Sequence, residues 1–561
     1  MDSSPLVAVT GQVSTEILGR DGFQETDIIG VTFPITKFNY MVKSAGEIPS
    51  AFRLAYNVAM AGRPGPVLID IPKDLQNADF IEDKDIGKKI NIDKLYPLEP
   101  NLEEVLRAVE ILLNSERPVI LVGGGVYWSG AWNEVIEIAE FLNAPIVSTF
   151  PGKNSLPNDH SLYFGPAGMH GRVEADAALA NADVVLALGT RFSDRTVGRF
   201  REMNEKTVIH IDVDPSEINK NVKAKVGIAA DVKKALQLMI KFLPRTAKKN
   251  EKFLEWLRSI KRSYEELIEK RSEEFKFAPW KVLKILRNAL PADCITTTGV
   301  GAHQMWCELH WEVQIPGTFI TSAGLGTMGF GLPAALGAKI AAKDKPVLLI
   351  DGDGSFQMTM NNLSLVRDYN LPIIMVIFDN RALMIVKQWQ IYMYSRRIIE
   401  TEFSHIPDFL KIANAYEIEG YRPDSYEDIE RLVKWSLRNN EPILLDITLD
   451  REKDIVLPWV KPGSWLTEVI MPEGMNTSII WTVKMDKIIV LTSNIGIDSV
   501  DRIVNTLRRG KVKLKEIKMN FEDNLVKIYI KLSGEENEID WLSKKLNRLV
   551  DVEEIKVLEN G

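Results

Sequence analysis

The sequence predicts an α/β protein of parallel sheets flanked by helices, followed by a small α+β domain. Three observations carry this. The segments "PVLIDIP", "PVILVGGG", "DVVLALGT" and "VLLIDGDG" are continuous apolar runs without alternation, the pattern of parallel strands covered on both faces. Helical segments alternate with such runs up to about residue 450. In "VKIYIKL", by contrast, Val526, Ile528, Ile530 and Leu532 alternate with Lys527, Tyr529 and Lys531, the mark of an antiparallel sheet with one covered face.

The chain has 561 residues, 45% hydrophobic and 26% charged, values of an ordinary globular protein. A net charge of −8 with interspersed signs excludes a polybasic footprint for nucleic acid or anionic membrane. Two cysteines, Cys294 and Cys307, are too few for a disulfide framework or a zinc site. This cysteine usage predicts a reducing cytoplasm; no apolar run reaches 18 residues, and the N-terminus lacks the signal-peptide pattern.

Residues 1–85 read as strand, helix, strand: "PLVAVTG", taken as buried on both faces; "SAFRLAYNVAMAG", from Ser50 to a stop at Gly62; then "PVLIDIP". The charged, proline-containing "DKDIGKKINIDKLYPLEPN" reads as a linker. Residues 101–243 form a second α/β segment, with Asn101 capping its first helix, a later helix starting at Ser129, and "TVIHIDVDP" as another strand. The charged "SIKRSYEELIEKRSEEF" predicts an exposed connecting helix. Residues 276–450 form a third α/β segment whose last helix opens on a Ser425-x-x-Asp428 capping box, and 451–474 its tail. From Met475 to 561 the order is βαββαβ.

The chemistry concentrates at strand ends. "GDGS" at 352–355 closes one apolar strand, and Asn380, 27 positions after Asp353, closes another in "FDN". Ligands of open parallel sheets sit beyond such carboxyl ends. An Asp carboxylate and an Asn amide oxygen brought together there suit magnesium, which takes few protein oxygens and completes its octahedron with phosphate and water. The glycines allow close backbone approach, and a helix starting near Ser355 offers free N–H groups to an anion.

Around GDG…N stand "TGQV" (10–13), "FQE" (23–25), "ITKFNY" (35–40), "GRPGPVLIDIPKD" (62–74), "GMHG" (168–171), "RFSDR" (191–195), "HIDVDP" (210–215), "GAHQMW" (301–306), "GLGTMGFGLPAALGA" (324–338) and "KQWQ" (387–390). With these motifs residues 1–474 resemble the catalytic large subunit of acetohydroxyacid synthase, also called acetolactate synthase. The resemblance implies three similar α/β domains: one for the aminopyrimidine of thiamine diphosphate, a central one for FAD, and one for the diphosphate. It implies decarboxylation of pyruvate and transfer of the two-carbon unit to pyruvate or 2-ketobutyrate, in branched-chain amino acid biosynthesis. A homodimer at least is implied, the first domain of one subunit facing the third of the other.

The same resemblance implies the site residues. Asp353, Asn380 and the backbone oxygen of Ala382 match metal ligands. Ala302, His303, Gly326, Thr327, Met328, Gly354 and Ser355 match thiamine diphosphate contacts, Met328 as the prop under the bent cofactor. Ala302 stands where the family usually has Gln, and "DNRALM" departs from the usual sequence, with Asp379 and Met384 expected to reshape the pocket. Phe23, Gln24 and Lys73 match active-site positions of the first domain, Arg195 the grip on the acceptor carboxylate, and Trp389 the indole that shapes the acceptor pocket. FAD contacts would come from Arg63, Gly124, Gly125, Ala167, Gly168, Met169, His170, Gly189, Arg191, Asp212 and Asp214. "GGGVYWSG" is no dinucleotide fingerprint, so the flavin expectation rests on resemblance alone.

Residues 475–561 resemble an ACT domain, the kind that forms the regulatory small subunit of the same enzyme. Asn494, Ile495 and Gly496 replace its usual ligand-turn residues, so binding a branched-chain amino acid and docking without an effector stay open. The family's pyrimidine-activating glutamate matches a position upstream of "MDSSPLV", and neither Glu16 nor Glu25 aligns with it. The expectation is an incomplete first domain, poor or no turnover by this chain alone, and a junction at Met475, arising either from a reading frame opened late and joined to its neighbour or from a true fusion. Two alternatives remain at this point. One is a pyruvate oxidase or decarboxylase, against which "KQWQ", Arg195 and the ACT domain argue. The other is a non-catalytic cofactor-binding or regulatory partner.

Overall fold

The structure is a computed structural model that describes residues 1–79, 98–244, 251–473, 485–494, 497–509, 512–522, 525–534, 536–549 and 551–559. The chain divides into two compact units, Met1–Met475 and Asn476–Gly561. Most of the expected linker, Ile495, Gly496 and the expected junction at Met475 lie outside the described residues.

The first unit opens with a parallel three-stranded sheet of β1 (Leu6–Gln12), β2 (Phe38–Met41) and β3 (Pro66–Pro72), in the order β1-β3-β2. Helix Ile48–Met60 lays Leu54, Ala55 and Val58 on Val67 and Ile69. It starts two residues before the expected Ser50, because Pro49 occupies the first turn, where a missing N–H costs nothing. β1 corrects another expectation. Among the described residues it is an edge strand paired only with β3, and Leu6 and Val9 are 58% and 53% exposed. A continuous apolar run does not distinguish a central strand from an edge.

The second sheet has six parallel strands: β4 (Pro118–Val122), β5 (Ile146–Ser148), β6 (Tyr163–Pro166), β7 (Val184–Leu188), β8 (Thr207–Asp212) and β9 (Val226–Ala229), ordered β6-β5-β4-β7-β8-β9. The order reverses at β4, so a crevice opens beyond the carboxyl ends of β4 and β7. Asn101 caps helix Leu102–Asn114 by accepting from the N–H groups of Glu103 and Glu104 at 2.8 and 3.3 Å. The helix expected from Ser129 is instead two: Gly125–Ser129, closed by left-handed Gly130, then Trp132–Leu142. The helix expected to be exposed runs over Glu251–Arg271 and buries Leu254, Leu257, Ile260 and Tyr264. Its charges mask an apolar stripe at helical spacing.

The third sheet, also parallel, holds β10 (Ile295–Thr298), β11 (Phe319–Ile320), β12 (Val347–Gly352), β13 (Ile373–Asp379), β14 (Glu419–Tyr421) and β15 (Ile443–Thr448), ordered β11-β10-β12-β13-β15-β14. Leu349, Phe356, Ile377 and Phe409 share its core. Ser425 Oγ caps helix Tyr426–Asn439 through the N–H of Asp428 at 3.1 Å. A short antiparallel pair, β16 (Trp459–Val460) and β17 (Val469–Ile470), ends the unit.

The second unit is β18 (Met485–Asn494), helix Ile497–Arg509, β19 (Lys513–Glu522), β20 (Leu525–Gly534), helix Glu536–Leu546 and β21 (Val552–Glu559). Its antiparallel sheet is ordered β19-β20-β18-β21. Val526, Ile528, Ile530 and Leu532 are buried with Ile503, Leu507 and Leu542, as the alternation of β20 predicts. Among the described residues no helix is long and apolar enough to cross a membrane. Cys294 and Cys307 are buried and unpaired.

Candidate active site

β12 and β13 are neighbours with Gly352 opposite Phe378, so their carboxyl ends lie side by side. Helix Asp353–Gln357 starts directly at the GDG turn, two residues before the expected start, and is only five residues long. Asp353 is 2% exposed; its Oδ1 accepts from the N–H of Gly354 at 2.7 Å, while its Oδ2 is buried without a hydrogen-bond partner. Burial and the neighbouring Asp379 carboxylate push Asp353 up to about 8. Asn380 Oδ1 accepts from the N–H of Ala382 at 3.0 Å, and its Nδ2 donates to Asp454 Oδ2 at 2.7 Å. Asp454 is pushed up to about 7 by burial, against the donations from Asn380 and Trp306.

The facing loops are tied to this turn by Ser355. Its Oγ accepts from the N–H of Val300 at 3.3 Å and of Gly329 at 3.0 Å, and it hydrogen-bonds the Asp351 carboxylate. The Ser355 hydroxyl is therefore engaged by protein, which leaves its first-turn amide for a ligand. Ala302 opens helix Ala302–His310, and its methyl supplies no hydrogen bond. His303 is held to about 3 by burial and is neutral; its Nε2 lies 3.5 Å from Asp351 Oδ1. Gly326 has φ +69°, and the N–H of Thr327 donates to Ser322 Oγ at 3.3 Å. A Cβ on Gly354 would come within 3.5 Å of the Met328 Cε, so this methyl lies over the GDG turn.

A cavity of about 870 Å³ occupies the crevice of the second sheet. Arg63, Gly124, Gly125, Ala167, Met169, His170, Gly189, Arg191 and Asp212 line it, with Arg195, Gly326 and Trp389 on further walls. Backbone meets backbone at its base: the N–H of Gly125 donates to Gly189 O at 3.1 Å, and a Cβ on Gly125 would stand 2.7 Å from the Gly189 Cα. His170 is held near 3 by burial and by Arg195, and its buried Nε2 has no hydrogen-bond partner. Burial pushes Asp212 up to about 7. Arg63 Nη1 bonds Glu217 Oε1 at 2.7 Å and Asp214 Oδ2 at 3.3 Å.

Gly168 and Asp214 stand behind the lining. The N–H of Gly168 donates to Asp176 Oδ1 at 2.7 Å, and the N–H of Met169 donates to the carbonyl of Arg195 at 2.7 Å. The "GMHG" loop is thus stapled to the backbone of Arg195. The Arg195 guanidinium lies 3.3 Å from Asp194 and over the Trp389 ring. Within "KQWQ" only Trp389 lines the cavity; Lys387 is fully buried between Glu402 and Glu452 at 2.8 and 2.9 Å, and Gln388 bonds the backbone of Val456.

Phe23, Gln24 and Lys73 are not among these walls. Phe23 is 89% exposed, Gln24 is exposed at φ 65°, and Lys73 opens the exposed turn after β3. Glu25 is engaged by its own loop, accepting from the N–H groups of Gly19 and Gly22 at 2.5 and 2.9 Å. Sequence reasoning missed Asp351, Asp454 and two further buried charges, Glu308 on the cavity wall and Lys153. Burial pushes Glu308 up to about 8 and Lys153 down to about 7. Among the described residues no group of three or more His, Cys, Asp or Glu side chains could hold a metal by itself.

Residues 105–239 match the model of the thiamine pyrophosphate enzyme central domain, 299–447 that of the thiamine pyrophosphate enzyme C-terminal TPP binding domain, and 497–555 that of the ACT domain. A Methanocaldococcus jannaschii protein named "Probable acetolactate synthase large subunit" is 40% identical over 481 residues, 84% of this chain and 81% of its own length. The "Acetolactate synthase isozyme 3 large subunit" of Escherichia coli is 34% identical over 480 residues, 83% of this chain and 84% of its own length. The "Acetolactate synthase large subunit" of Corynebacterium glutamicum is 36% identical over 487 residues, 85% of this chain and 77% of its own length. The chain belongs to the acetolactate synthase large-subunit family of thiamine-diphosphate enzymes, with an ACT domain in the same polypeptide.

Proposed function

We propose that this chain catalyses the acetolactate synthase reaction, joining the two-carbon unit of decarboxylated pyruvate to a second 2-ketoacid, pyruvate or 2-ketobutyrate. Thiamine diphosphate, when bound, supplies the carbanion chemistry. Asp353, the amide oxygen of Asn380 and the backbone oxygen of Ala382 are the residues to hold its magnesium. The fit is supported by the partnerless, buried Asp353 Oδ2, an acceptor already stripped of water. Few protein oxygens are expected at such an ion.

FAD fits the 870 Å³ cavity. Gly124, Gly125 and Gly189 present backbone on its wall, and the orphan Nε2 of neutral His170 can pair with a polar ring edge. The net reaction is not redox, so the flavin role is structural. Arg195 offers the acceptor carboxylate a planar pair of donors, and Trp389 bounds the space for its side chain. Phe23, Gln24 and Lys73 face outward, which suits completion of the site of a second copy in a homodimer. The ACT domain serves regulation by pairing with another ACT domain, either with a branched-chain amino acid as effector or as a docking module without one. The activity belongs to branched-chain amino acid synthesis in the cytoplasm.

The observation that carries this reading is the meeting of Asp353 and Asn380 at adjacent parallel strand ends, in the same unit as the cavity walled by Arg195 and Trp389. The test is product analysis of the full chain with pyruvate, thiamine diphosphate, magnesium and FAD. Acetolactate is expected, and acetohydroxybutyrate when 2-ketobutyrate is added. Oxygen uptake without acetolactate would establish a pyruvate oxidase instead. Cofactor binding with no turnover, unrestored by adding a family segment that carries the pyrimidine-activating glutamate, would establish a non-catalytic partner.

A further inference from the structure

Asp454 stands beyond β15, 74 residues after Asn380, and is 2% exposed. Its two oxygens have separate partners. Oδ1 accepts from Trp306 Nε1 at 2.7 Å, and Oδ2 accepts from Asn380 Nδ2 at 2.7 Å. An asparagine amide has two ends of nearly equal shape and opposite hydrogen-bonding sense. A carboxylate only accepts, so it selects the NH₂ end. The amide oxygen is thereby turned away from Asp454, to where the N–H of Ala382 donates to it at 3.0 Å. A second lone pair remains on that oxygen. Trp306, a donor only, holds Asp454 itself, and it lies on the helix that also carries Ala302 and His303.

We propose that Asp454 is a positioning residue for the metal, fixing Asn380 with its oxygen rather than its nitrogen toward the cation seat shared with Asp353. This rests on the magnesium reading above. Outer partners that orient ligands typically govern affinity by one to two orders of magnitude.

The test is direct cation binding, read by electron paramagnetic resonance of Mn²⁺ titrated into the full chain with thiamine diphosphate. Asp454→Asn is expected to weaken Mn²⁺ binding about 10- to 100-fold. In the double variant Asn380→Asp/Asp454→Asn the ligand has two equivalent oxygens and the amide stands at the other position, so most of the affinity is expected to return. A purely structural role for Asp454 gives no such return. Wild-type affinity in Asp454→Asn, or a double variant as weak as the single one, would overturn the positioning role. Mn²⁺ binding that is absent from the wild type, or that survives Asp353→Asn undiminished, would instead overturn the magnesium reading.

Discussion

The guanidinium of Arg195 lies 5.6 Å from the centre of the Trp389 ring, so the charged and the apolar wall of the cavity are one contact. Such a pair contributes about 0.5–1 kcal/mol when partly exposed, enough to bias the arginine rotamer. Arg195→Lys keeps the charge and loses the planar fork. It is expected to lower kcat/KM for the acceptor about 10- to 100-fold, the worth of a charge-assisted bidentate contact. Steady-state kinetics with varied acceptor checks this, and an unchanged value would remove Arg195 from the acceptor site.

Trp389→Leu enlarges the space beside that guanidinium. The ratio of acetohydroxybutyrate to acetolactate formed from equal acceptor concentrations should fall by about tenfold, as expected where one methylene's packing decides. Competition between the two acceptors, read as the product ratio, is the measurement. An unaltered ratio places the acceptor side chain elsewhere.

Gly168 is held at φ +121° with its α-carbon against Arg195; an added Cβ would stand 2.0 Å from the Arg195 carbonyl oxygen. Gly168→Ala must break the staple from Met169 N–H to that carbonyl. A loss of about 2 kcal/mol or more is expected from strain and the displaced hydrogen bond, together with a fall in activity. A variant as stable and active as wild type would show the loop to be free of Arg195.

His210 is buried, donates from its Nε2–H to the carbonyl of Thr190 at 2.9 Å, and is held at about 4 by burial, against 6.5 ordinarily. The unfolded chain therefore binds the proton first as pH falls. The His210 contribution is full above pH 6.5 and is lost as pH falls toward 4. Over that window it amounts to about 3 kcal/mol by linkage. Denaturant unfolding of wild type and His210→Gln at pH 7 and pH 4.5 should show the gap between them shrinking or reversing at the lower pH.

Lys153 is buried, and both desolvation and the Arg172 charge lower its pKa to about 7. The buried Glu308 is the first charge that offsets it, and replacing both members of such a buried pair by uncharged side chains is often neutral or stabilising by about 1–4 kcal/mol. The double variant Lys153→Met/Glu308→Gln is expected to unfold no earlier than wild type, and Lys153→Met alone to unfold earlier than the double variant. Destabilisation beyond about 1 kcal/mol would mean that the ammonium has a partner worth its desolvation.

The strand ends that carry Asp353 and Asn380 were legible because long apolar runs stop at them. Asp454 was not. It sits in "REKDIV", which reads as a charged surface turn, and its burial is explained only by donors far away in sequence, Trp306 and Asn380. Ser129 read as a helix start because a serine preceded an apolar pattern, whereas Gly130 at φ +64° closes one helix there before the next begins. The connecting helix read as exposed because its charges outnumber its apolar residues, yet spacing alone places Tyr264 in the core under Arg172. Which motifs would face a shared cavity was open for Phe23, Gln24 and Lys73, since motif order carries no distance.

Among the described residues the core around Val526, Ile528 and Leu542 draws only on the C-terminal unit, and the core around Leu349 and Phe356 only on the first. Calorimetry of the whole chain is therefore expected to trace two overlapping heat-absorption peaks rather than one. A single melting temperature is then not defined for this polypeptide. The stability changes expected for Gly168, His210 and Lys153 belong to the peak of the larger unit alone.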